Sequence, residues 1–440
     1  MRILLWHGYL LSGTGSNVYT QALAREWSRG GHDVTVLCQE RRPEQYDLGG
    51  AEVVVPELPE RLLPVFVLDR YEGLDAVLLQ DMSERERARY VEANAAALRE
   101  VGKADLVFAN HVLMGGAVGA AVGLPFRVKA HGSELEYSLR GRPELEAAGR
   151  DALAGAEATF VGSRHIREVL ADVLGHVDRV VEVPPGVDVD EFVLQERGAA
   201  LAELLEETRR DPPNHGNANE RLPDEGNAER LAAFFDRDEP TVVYFGKLIE
   251  NKGVQLLLEA ARELQARTVV VGFGDYRARL EAQADTRTLF TGPLEHRHLV
   301  HLLPLADAAV VPSIFPEAFG MVAAEAAAAG CPPLVARHSG LAEIAAGLES
   351  EYPEALRHLA AFESGSADDL RRKLGELLAL SPADREALRA AARRAVEARW
   401  SCATIAARLL GDSDELRSGE HRAGHAEHEQ RQDDSPAQQQ

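Results

Sequence analysis

Short apolar runs alternate with amphipathic helical patterns along most of this chain. The first run, residues 2–6, leads into a Gly-rich stretch, and a helical pattern from Val18 to Arg29 ends at Gly30 before a second run at 33–38. Later runs of the same kind lie at 105–110, 126–130, 158–161, 241–245, 268–271 and 308–311. Strand, loop, helix and strand in this repeated order predict parallel sheets covered by helices, which is the doubly wound α/β class.

Length, charge and cysteine usage narrow the class further. A chain of 440 residues is long enough for two domains, each with its own core. The formal net charge of -23 argues against nucleic acid or an anionic membrane surface as a partner. The three cysteines, Cys38, Cys331 and Cys402, have no paired spacing, so we predict neither a disulfide framework nor a cysteine-based zinc site.

The amino-terminal apolar run leads directly into His7-Gly8, which makes it too short for a signal peptide. The sequence also lacks an apolar stretch of about eighteen residues, the length that a transmembrane helix needs. We therefore expect a cytoplasmic protein without a transmembrane segment.

The stretch from Val311 to Ile344 carries the most specific chemistry. An apolar strand ends at Pro312, Gly320 opens a turn, and Met321 to Ala329 is a run of helix formers that Gly330 closes. The first turn of such a helix has unpaired N–H groups and the positive end of the helix dipole. The loop therefore predicts a seat for an anion such as phosphate.

Two carboxylates flank this predicted anion seat. Glu317 precedes the helix, and Glu325 lies about one turn inside it. A carboxylate at a helix start is often only a favourable partner of the helix dipole. Because a carboxylate would repel phosphate, however, we expect both groups to accept hydrogen bonds from hydroxyls beside it. The pattern indicates a ligand with a sugar on one side of its phosphates and a ribose on the other.

The whole string resembles the donor-site signature of the retaining GT-B glycosyltransferases of family 4, the glycosyl transferases group 1. The residues that carry the resemblance are Ser313, 316–322, Glu325, 330–332 and 339–343. It implies α/β GT-B architecture, with two Rossmann-like doubly wound domains facing an interdomain cleft.

The resemblance also implies a domain organisation. It places an acceptor-binding domain at 1–190, a donor-binding domain at 241–395, and a helix at 396–410 that crosses back to the first domain. The charged residues 191–240 have a composition that buries little core, and we expect a partly mobile insertion or linker there. The polar residues 411–440 predict a disordered tail.

The resemblance assigns roles in the second domain. A strand that ends at Gly246 is followed by Lys247 and Lys252, whose ammonium groups suit a departing diphosphate. Lys247 stands where the family commonly has Arg. Glu317 is expected to hold the sugar hydroxyls and Glu325 the ribose. The remaining expected donor contacts are the loop around Phe319, Gly320, Met321 and Val322 and the two loops that border the base, at Gly274 and Thr291.

The resemblance also assigns residues in the first domain. Gly13 and Gly15 are expected near the donor diphosphate, and Asn17 is a candidate acceptor contact. His131 directly follows the apolar run 126–130. It matches the family position at a strand end whose His contacts the transferred sugar. The same Gly-rich loop lacks the last glycine of a dinucleotide fingerprint, which disfavours a dehydrogenase.

Two clusters of possible metal ligands fit structural roles better than metal binding. Asp188 and Asp190 lie in the interdomain crossing rather than beside a nucleotide loop. His296, His298 and His301 fall on a predicted surface helix, where solvation of one helix face is favoured over zinc. We expect no metal and no cofactor besides the nucleotide-diphosphate sugar.

The implied activity is transfer of a hexose-type sugar from a nucleotide sugar to an acceptor hydroxyl, with retention of anomeric configuration and without a metal. Catalysis would rest on Lys247, Lys252, Glu317 and His131. A GT-B epimerase or hydrolase and a non-catalytic nucleotide-sugar-binding protein remain as alternatives. A small polyol, a lipid and a glycan all stay open as acceptors.

Overall fold

The chain divides into two units in the computed structural model, which describes residues 1–11, 15–66, 71, 73–237 and 239–411. Met1–Gly186 and the chain from Cys402 onward form the first unit, and Val187–Ser401 form the second. The corresponding boundaries predicted from the sequence are 190 and 395. Within these described residues, no helix combines the length and the apolar character needed to cross a bilayer.

A parallel seven-stranded sheet forms the middle of the first unit. Its strands are β1 (Arg2–Trp6), β2 (Asp33–Leu37), β3 (Glu52–Val54), β6 (Leu106–Asn110), β7 (Phe126–Lys129), β8 (Ala158–Val161) and β9 (Val180–Glu182). β4 (Leu62–Val65) and β5 (Asp75–Leu78) form a separate parallel pair. The strand order β3-β2-β1-β6-β7-β8-β9 reverses direction between β1 and β6. Loops on the two sides of this switch point diverge, which leaves room for a ligand at the carboxyl edge.

Helices cover both faces of this sheet, which is why its central strands are nearly continuous apolar runs. Ser83 and Glu86 form a capping box that starts the second helix, and Ser163 caps the fifth. The first helix begins at Gly15, three residues earlier than its apolar pattern predicts. The helices are α1 (Gly15–Arg29), α2 (Glu84–Val101), α3 (Leu113–Val122), α4 (Pro143–Leu153) and α5 (Arg164–Leu174).

The second unit contains a parallel six-stranded sheet. Its strands are β10 (Thr241–Phe245), β11 (Arg267–Val271), β12 (Thr288–Phe290), β13 (Ala308–Val311), β14 (Pro333–Ala336) and β15 (Ala361–Phe362). The order is β12-β11-β10-β13-β14-β15, so the direction of strand addition reverses between β10 and β13. The carboxyl ends of β10 and β13 are therefore the place where this sheet can receive a ligand.

The helices of the second unit are α6 (Arg197–Arg209), α7 (Asn227–Phe235), α8 (Val254–Leu264), α9 (Arg277–Gln283), α10 (His296–Leu302), α11 (Met321–Ala328), α12 (Ser339–Glu351), α13 (Ala367–Leu378) and α14 (Pro382–Arg399). The Ala-rich α11 is buried along most of its length. Its small side chains allow close packing against α14 and the sheet.

The expectation that residues 191–240 bury little core is wrong. Leu204 of α6 and Leu231, Phe234 and Phe235 of α7 are buried in the hydrophobic core of the second unit. Their spacing places them on one face of each helix, while the charged residues lie on the opposite face. Composition averaged over the segment concealed this periodicity.

The last helix, α15 (Cys402–Leu410), belongs to the first unit. The indole of Trp27 donates a hydrogen bond to the Ala406 carbonyl at 2.9 Å, and the Arg127 guanidinium donates to the Leu409 carbonyl at 2.7 Å. The carboxyl-terminal chain thus returns to the first unit, as the resemblance implies. The predicted disordered tail lies outside the described residues from 412 onward.

Candidate functional site

The loop between β13 and α11 forms the predicted anion seat. Gly320 precedes the helix with φ of 117°, a conformation that side chains rarely adopt, and no described side chain caps the helix. A Cβ on Gly320 would also lie 2.6 Å from Cδ2 of Leu341. The amides of the first turn, at Met321 and Val322, have no acceptor inside the helix. This helix start can therefore donate hydrogen bonds to an anion.

The structure brings Lys252 and Glu317 into direct contact. The Lys252 ammonium donates a hydrogen bond to Oε1 of Glu317, and the two side chains are 31% and 19% exposed. Close packing of their loops makes the contact, since a Cβ on Gly253 would lie 1.9 Å from the Pro312 carbonyl oxygen. A cation and a carboxylate thus lie together in partial contact with solvent, beside the start of α11.

Lys247 lies in the same loop as Lys252 but makes a different contribution. It is exposed, and its carbonyl accepts a hydrogen bond from the Tyr244 hydroxyl at 2.8 Å. Burial, and then the charge of Glu317, raise the pKa of Tyr244. The phenol therefore stays a neutral donor that fixes the Lys247 backbone.

The backbone of Glu317 is held by the first turn of α12. Its N–H donates to Oγ of Ser339 at 2.8 Å, and its carbonyl accepts from the Gly340 N–H at 3.0 Å. His338 completes the network, with Nδ1 at 2.9 Å from Ser339 Oγ and Nε2 at 2.7 Å from the Ser313 carbonyl oxygen. His338 is not among the site residues predicted from the sequence, although it directly precedes the Ser-Gly pair of the signature.

Glu325 lies one turn inside α11 and is buried. Its Oε1 is 3.6 Å from Nε2 of His296. Burial raises the pKa of Glu325, the charge of His296 lowers it, and that of Glu191 raises it. The Glu325 carboxyl thus lies beside His296, the first residue of α10, and the charge of Glu191 also acts on it.

The three histidines of α10 have three separate partners, and the expectation that they form a solvated helix face is wrong for His298. Its side chain is fully buried, with Nε2 at 3.0 Å from Oδ1 of Asp211. Nδ1 of His301 lies 2.8 Å from Oε1 of Gln195, and His296 approaches Glu325. Within the described residues, no group of three His, Cys, Asp or Glu side chains converges as metal ligands do.

The two loops expected to border the base lie beside the β10 loop. Gly274, with φ of 150°, allows close approach, because a Cβ there would lie 2.4 Å from the Leu248 carbonyl oxygen. Thr291 is buried, and its hydroxyl donates to the Gly292 carbonyl at 2.9 Å. The Gly246 N–H donates to the Val271 carbonyl at 3.1 Å. The structure thus groups the Gly246, Gly274 and Thr291 loops, but it uses the Thr291 hydroxyl internally.

The segment before α7 packs directly on the Thr291 loop. The Thr291 carbonyl accepts hydrogen bonds from the Asp224 N–H at 2.8 Å and from the Asn227 side-chain amide at 2.9 Å. Asp224, with 3% of its side chain exposed, also forms a two-pronged ion pair with Arg277 at 2.9 and 2.6 Å. This segment is therefore an integral wall of the second unit beside the predicted base loops.

In the first unit, His131 lies just beyond β7 and is partly buried. Its Nε2 lies 2.9 Å from Oδ1 of Asn110. Asn17 lies in the first turn of α1, with its Oδ1 at 2.8 Å from Nε2 of His7. Gly15 starts that helix and is exposed, and Gly13 lies outside the described residues. His131 and Asn17 are thus each anchored by a polar partner at the carboxyl edge of the sheet.

A third histidine, His111, joins His7 and His131 at this edge. The His111 ring centre is 6.0 Å from that of His7 and 4.8 Å from that of His131. Burial lowers the pKa of His7 to about 4 and lowers the pKa of His111 and His131 well below the ordinary value. We call His7, His111 and His131 the histidine cluster. The cluster is uncharged at neutral pH, and one of its members, His131, is a site residue predicted from the sequence.

Two charged groups border the histidine cluster. Glu134 accepts hydrogen bonds from the N–H groups of Val112 and Leu113, the latter at 2.8 Å, and burial raises its pKa to about 7. Burial lowers the pKa of Lys129 to about 7, and its ammonium donates to the Val183 carbonyl. Both groups are therefore already engaged with the backbone.

Comparison with known proteins yields two matching family models. The model described as Glycosyltransferase Family 4 matches residues 13–191, and the one described as Glycosyl transferases group 1 matches residues 227–395. The first match falls almost entirely on the first unit and the second match on the second unit. Together they cover most of the chain, except for the segment between them and the carboxyl-terminal residues.

Two curated relatives match across most of their length. A D-inositol 3-phosphate glycosyltransferase of Xylanimonas cellulosilytica is 29% identical over 349 residues, which is 74% of this chain and 76% of that protein. A GDP-mannose-dependent alpha-(1-6)-phosphatidylinositol monomannoside mannosyltransferase of Mycolicibacterium smegmatis is 27% identical over 314 residues, which is 67% of this chain and 70% of that protein.

Among solved structures, Anabaena HepE in complex with UDP-glucose superposes with a TM-score of 0.65. The superposition covers 94% of this chain and 99% of that one, at 16% sequence identity. At this identity the match establishes the fold.

Proposed function

Because the chain belongs to the family 4 glycosyltransferases, the glycosyl transferases group 1, and has their GT-B fold, we propose that it transfers a sugar from a nucleotide-diphosphate sugar to an acceptor hydroxyl with retention of anomeric configuration. The observation that supports this most directly is the Lys252–Glu317 contact beside the uncapped start of α11. A cation, a hydrogen-bond acceptor and free amides lie together there, and these are the groups that a sugar diphosphate needs.

The proposed catalysis is electrostatic. Cleavage of the bond between the sugar and its diphosphate leaves negative charge on the diphosphate. The Lys252 ammonium and the amides of Met321 and Val322 would stabilise this charge, and the exposed Lys247 would add a second cation. Two lysines and a helix start are sufficient to bind a diphosphate, so we propose that the reaction needs no metal and no cofactor besides the donor.

The hydroxyl groups of the donor have separate candidate partners. Glu317 would accept hydrogen bonds from the transferred sugar, because its carboxylate is partly exposed and lies shortly before the start of α11. Glu325, one turn further along α11, would accept from the ribose. Gly274 and the Thr291 loop would border the base through their backbones, since the Thr291 hydroxyl is already bonded.

In the first unit, we propose that His131 contacts the transferred sugar and that Asn17 contributes to acceptor binding. Gly15 would lie near the donor diphosphate. The two named relatives act on inositol 3-phosphate and on a phosphatidylinositol monomannoside, which makes acceptors with a cyclic polyol the first class to test.

Thermal unfolding with nucleotides tests donor binding directly. The protein would be heated with UDP, GDP, ADP, TDP and, as a negative control, NAD, each with and without magnesium. A ligand at ~100 times its Kd should add about 2.7 kcal/mol to the free energy of unfolding. We expect one nucleoside diphosphate to stabilise the protein without magnesium, and Lys252→Ala to abolish the effect. Lys103→Ala, which removes an exposed lysine in the first unit, is the matched control.

Turnover then separates the proposed transferase from its alternatives. With the matching nucleotide sugar, release of nucleoside diphosphate should require an added acceptor, and NMR of the product should show the anomeric configuration of the donor. Release without acceptor would indicate a hydrolase, and a changed sugar still attached to its nucleotide would indicate an epimerase. Stabilisation by NAD alone would contradict the assignment of the donor site.

A further inference from the structure

His111 has a strained and unsatisfied environment. It is 3% exposed, and neither ring nitrogen has a hydrogen-bond partner in the described part of the chain. Its φ is 73°, in the left-handed region that residues other than glycine rarely occupy. A buried unpaired polar group and a strained backbone both cost free energy, and they persist mainly where a function requires them.

The position of His111 points to a ligand rather than to core packing. It follows the last residue of β6, directly at the switch point between β1 and β6. Ligands of doubly wound sheets bind outside the carboxyl ends of the strands at this point. His7 follows β1 and His131 lies just beyond β7, so the histidine cluster occupies three adjacent strand ends.

The surroundings of His111 favour an uncharged ligand. The start of α3 is a helix terminus directly beside His111, but the Glu134 carboxyl already accepts hydrogen bonds from its first amides. Oε2 of that carboxyl lies 4.0 Å from Nδ1 of His111, where an ionised form would repel a phosphate. The nearby cation Lys129 is engaged with the Val183 carbonyl and lies over the Tyr19 ring at 5.5 Å.

The hydrogen-bonding chemistry of the cluster matches a hydroxyl group. A neutral imidazole has one N–H donor and one acceptor nitrogen, and a hydroxyl can satisfy both kinds of partner. An ionised phosphate has acceptors alone, so it would leave the acceptor nitrogen unpaired. The aromatic rings of Tyr9 and Phe66 lie 5.2 and 4.8 Å from the His111 ring and offer apolar surfaces to the C–H groups of a ring.

We infer that His111 is an acceptor-binding residue and that the histidine cluster receives an uncharged, hydroxyl-bearing ring, a cyclic polyol or a sugar, rather than a phosphate group. This inference rests on the proposed transferase function, which supplies the need for an acceptor. The Phe66 ring packs against the nearly buried imidazole of His111, at 4.8 Å between ring centres, so a ligand bound to His111 would change the surroundings of Phe66.

Matched ring compounds test the ligand class. Phe66→Trp in the full chain would place a fluorescent ring over His111, and titration with myo-inositol, myo-inositol 1-phosphate, glucose and glucose 6-phosphate would be followed by its emission, with and without the stabilising nucleotide. We expect an unphosphorylated ring to change the emission and to bind at least about tenfold more tightly than its phosphate, a difference of about 1.4 kcal/mol. Tighter binding of the phosphorylated ring, or no response to any of the four, would overturn the inference.

Variants of His111 test its role as a contact. His111→Gly keeps the left-handed backbone available while it removes the imidazole, and His176→Gly removes an exposed histidine of the same unit as the control. We expect His111→Gly to raise the acceptor KM by about tenfold or more. Stabilisation of the protein by the nucleotide should persist. An unchanged acceptor KM in His111→Gly would overturn the assignment of His111. If no nucleotide stabilises the wild-type protein, the proposed function itself is contradicted.

Discussion

The Lys252 ammonium donates a hydrogen bond to the Glu317 carboxylate across a sequence separation of 65 residues. The two residues come from loops at the carboxyl ends of β10 and β13, which are neighbouring strands in the sheet. Strand order therefore creates a pair that consists of a cation, for which we propose a role in phosphate binding, and a carboxylate, for which we propose a role in sugar binding. Each partner holds the other beside the start of α11.

Removal of either partner should have a distinct effect. Lys252→Ala should abolish nucleotide stabilisation and lower kcat by about 100-fold or more, because charge on the departing diphosphate loses a preorganised partner. Glu317→Gln should keep nucleotide stabilisation and lower kcat, since it removes the carboxylate from the sugar and leaves the cation in place. Thermal shifts and steady-state kinetics measure both, with Glu259→Gln on the exposed side of α8 as control. A Glu317→Gln variant with wild-type kcat would refute the proposed role of Glu317.

His338 should act as a positioning residue for Glu317. Its ring contacts both the Ser313 carbonyl oxygen and the Ser339 hydroxyl, and that hydroxyl accepts a hydrogen bond from the Glu317 N–H. We expect His338→Ala to lower kcat by about tenfold, or 1.4 kcal/mol in barrier, while nucleotide affinity stays unchanged. His338→Gln can still donate to the Ser313 carbonyl and should recover part of the loss. Equal kinetics of the Ala and Gln variants would show that the hydrogen bond does not position Glu317.

Gly253 should be intolerant of any side chain. Its φ is 68°, and an added Cβ would lie 1.9 Å from the Pro312 carbonyl oxygen. Gly253→Ala should lower the free energy of unfolding by about 3 kcal/mol through backbone strain and the forced separation of two loops. Gly365→Ala, at φ of 79° in open space, should cost only about 1 kcal/mol. Urea unfolding would compare them, and equal losses would exclude a role for the close approach.

Acid should destabilise the protein through the histidine cluster. The folded-state pKa of His7 is lowered to about 4 from 6.5, so the unfolded chain binds a proton between these values that the folded chain does not. Stability is thus fully present above the unfolded pKa and falls as the pH drops from 6.5 through 4. His111 and His131 act with the same sign, because burial lowers the pKa of each as well.

Glu134 changes the free energy of unfolding in the opposite direction. Burial raises its pKa to about 7, so the protein loses stability as the pH rises towards that value. Urea unfolding of the wild type and of His7→Gln would isolate one member of the cluster. Between about pH 7.5 and about pH 5, we expect the variant to lose on the order of 2 kcal/mol less than the wild type. Parallel pH profiles for the two proteins would contradict a buried neutral His7.

The Asp224–Arg277 pair should matter more than surface ion pairs. Asp224 has 3% of its side chain exposed, and Arg277 has 19%. Arg277→Ala leaves Asp224 buried, with a longer contact to Arg230 at 3.5 Å as its remaining ion pair among the described residues, so we expect a loss of about 3 kcal/mol. Asp172→Ala breaks an exposed pair with Arg140 and should cost less than about 1 kcal/mol. Equal effects in urea unfolding would show that the 211–227 segment contributes little to the core.

Local patterns predicted much of this molecule. The helices Arg164–Leu174 and Val254–Leu264 follow local sequence signals, because amphipathic periodicity and their Ser or Gly boundaries are local properties. Local composition gave a wrong prediction for 191–240, where a high charge content concealed apolar residues at helical spacing. It also failed for His298, because burial beside Asp211 depends on a segment far away in the sequence.

Sequence alone predicts the central strands of both sheets, the helices α1 and α11, the glycine that precedes α11, and the donor signature from Ser313 to Glu343. These follow from periodicity and backbone conformation, which depend on neighbours within a few residues. Packing of the whole chain brings Lys252 to Glu317, places Asp224 on the Thr291 loop, and sets His111 between His7 and His131. The order of strands in a sheet brings these groups together, and that order is set by packing of the whole chain rather than by any local stretch.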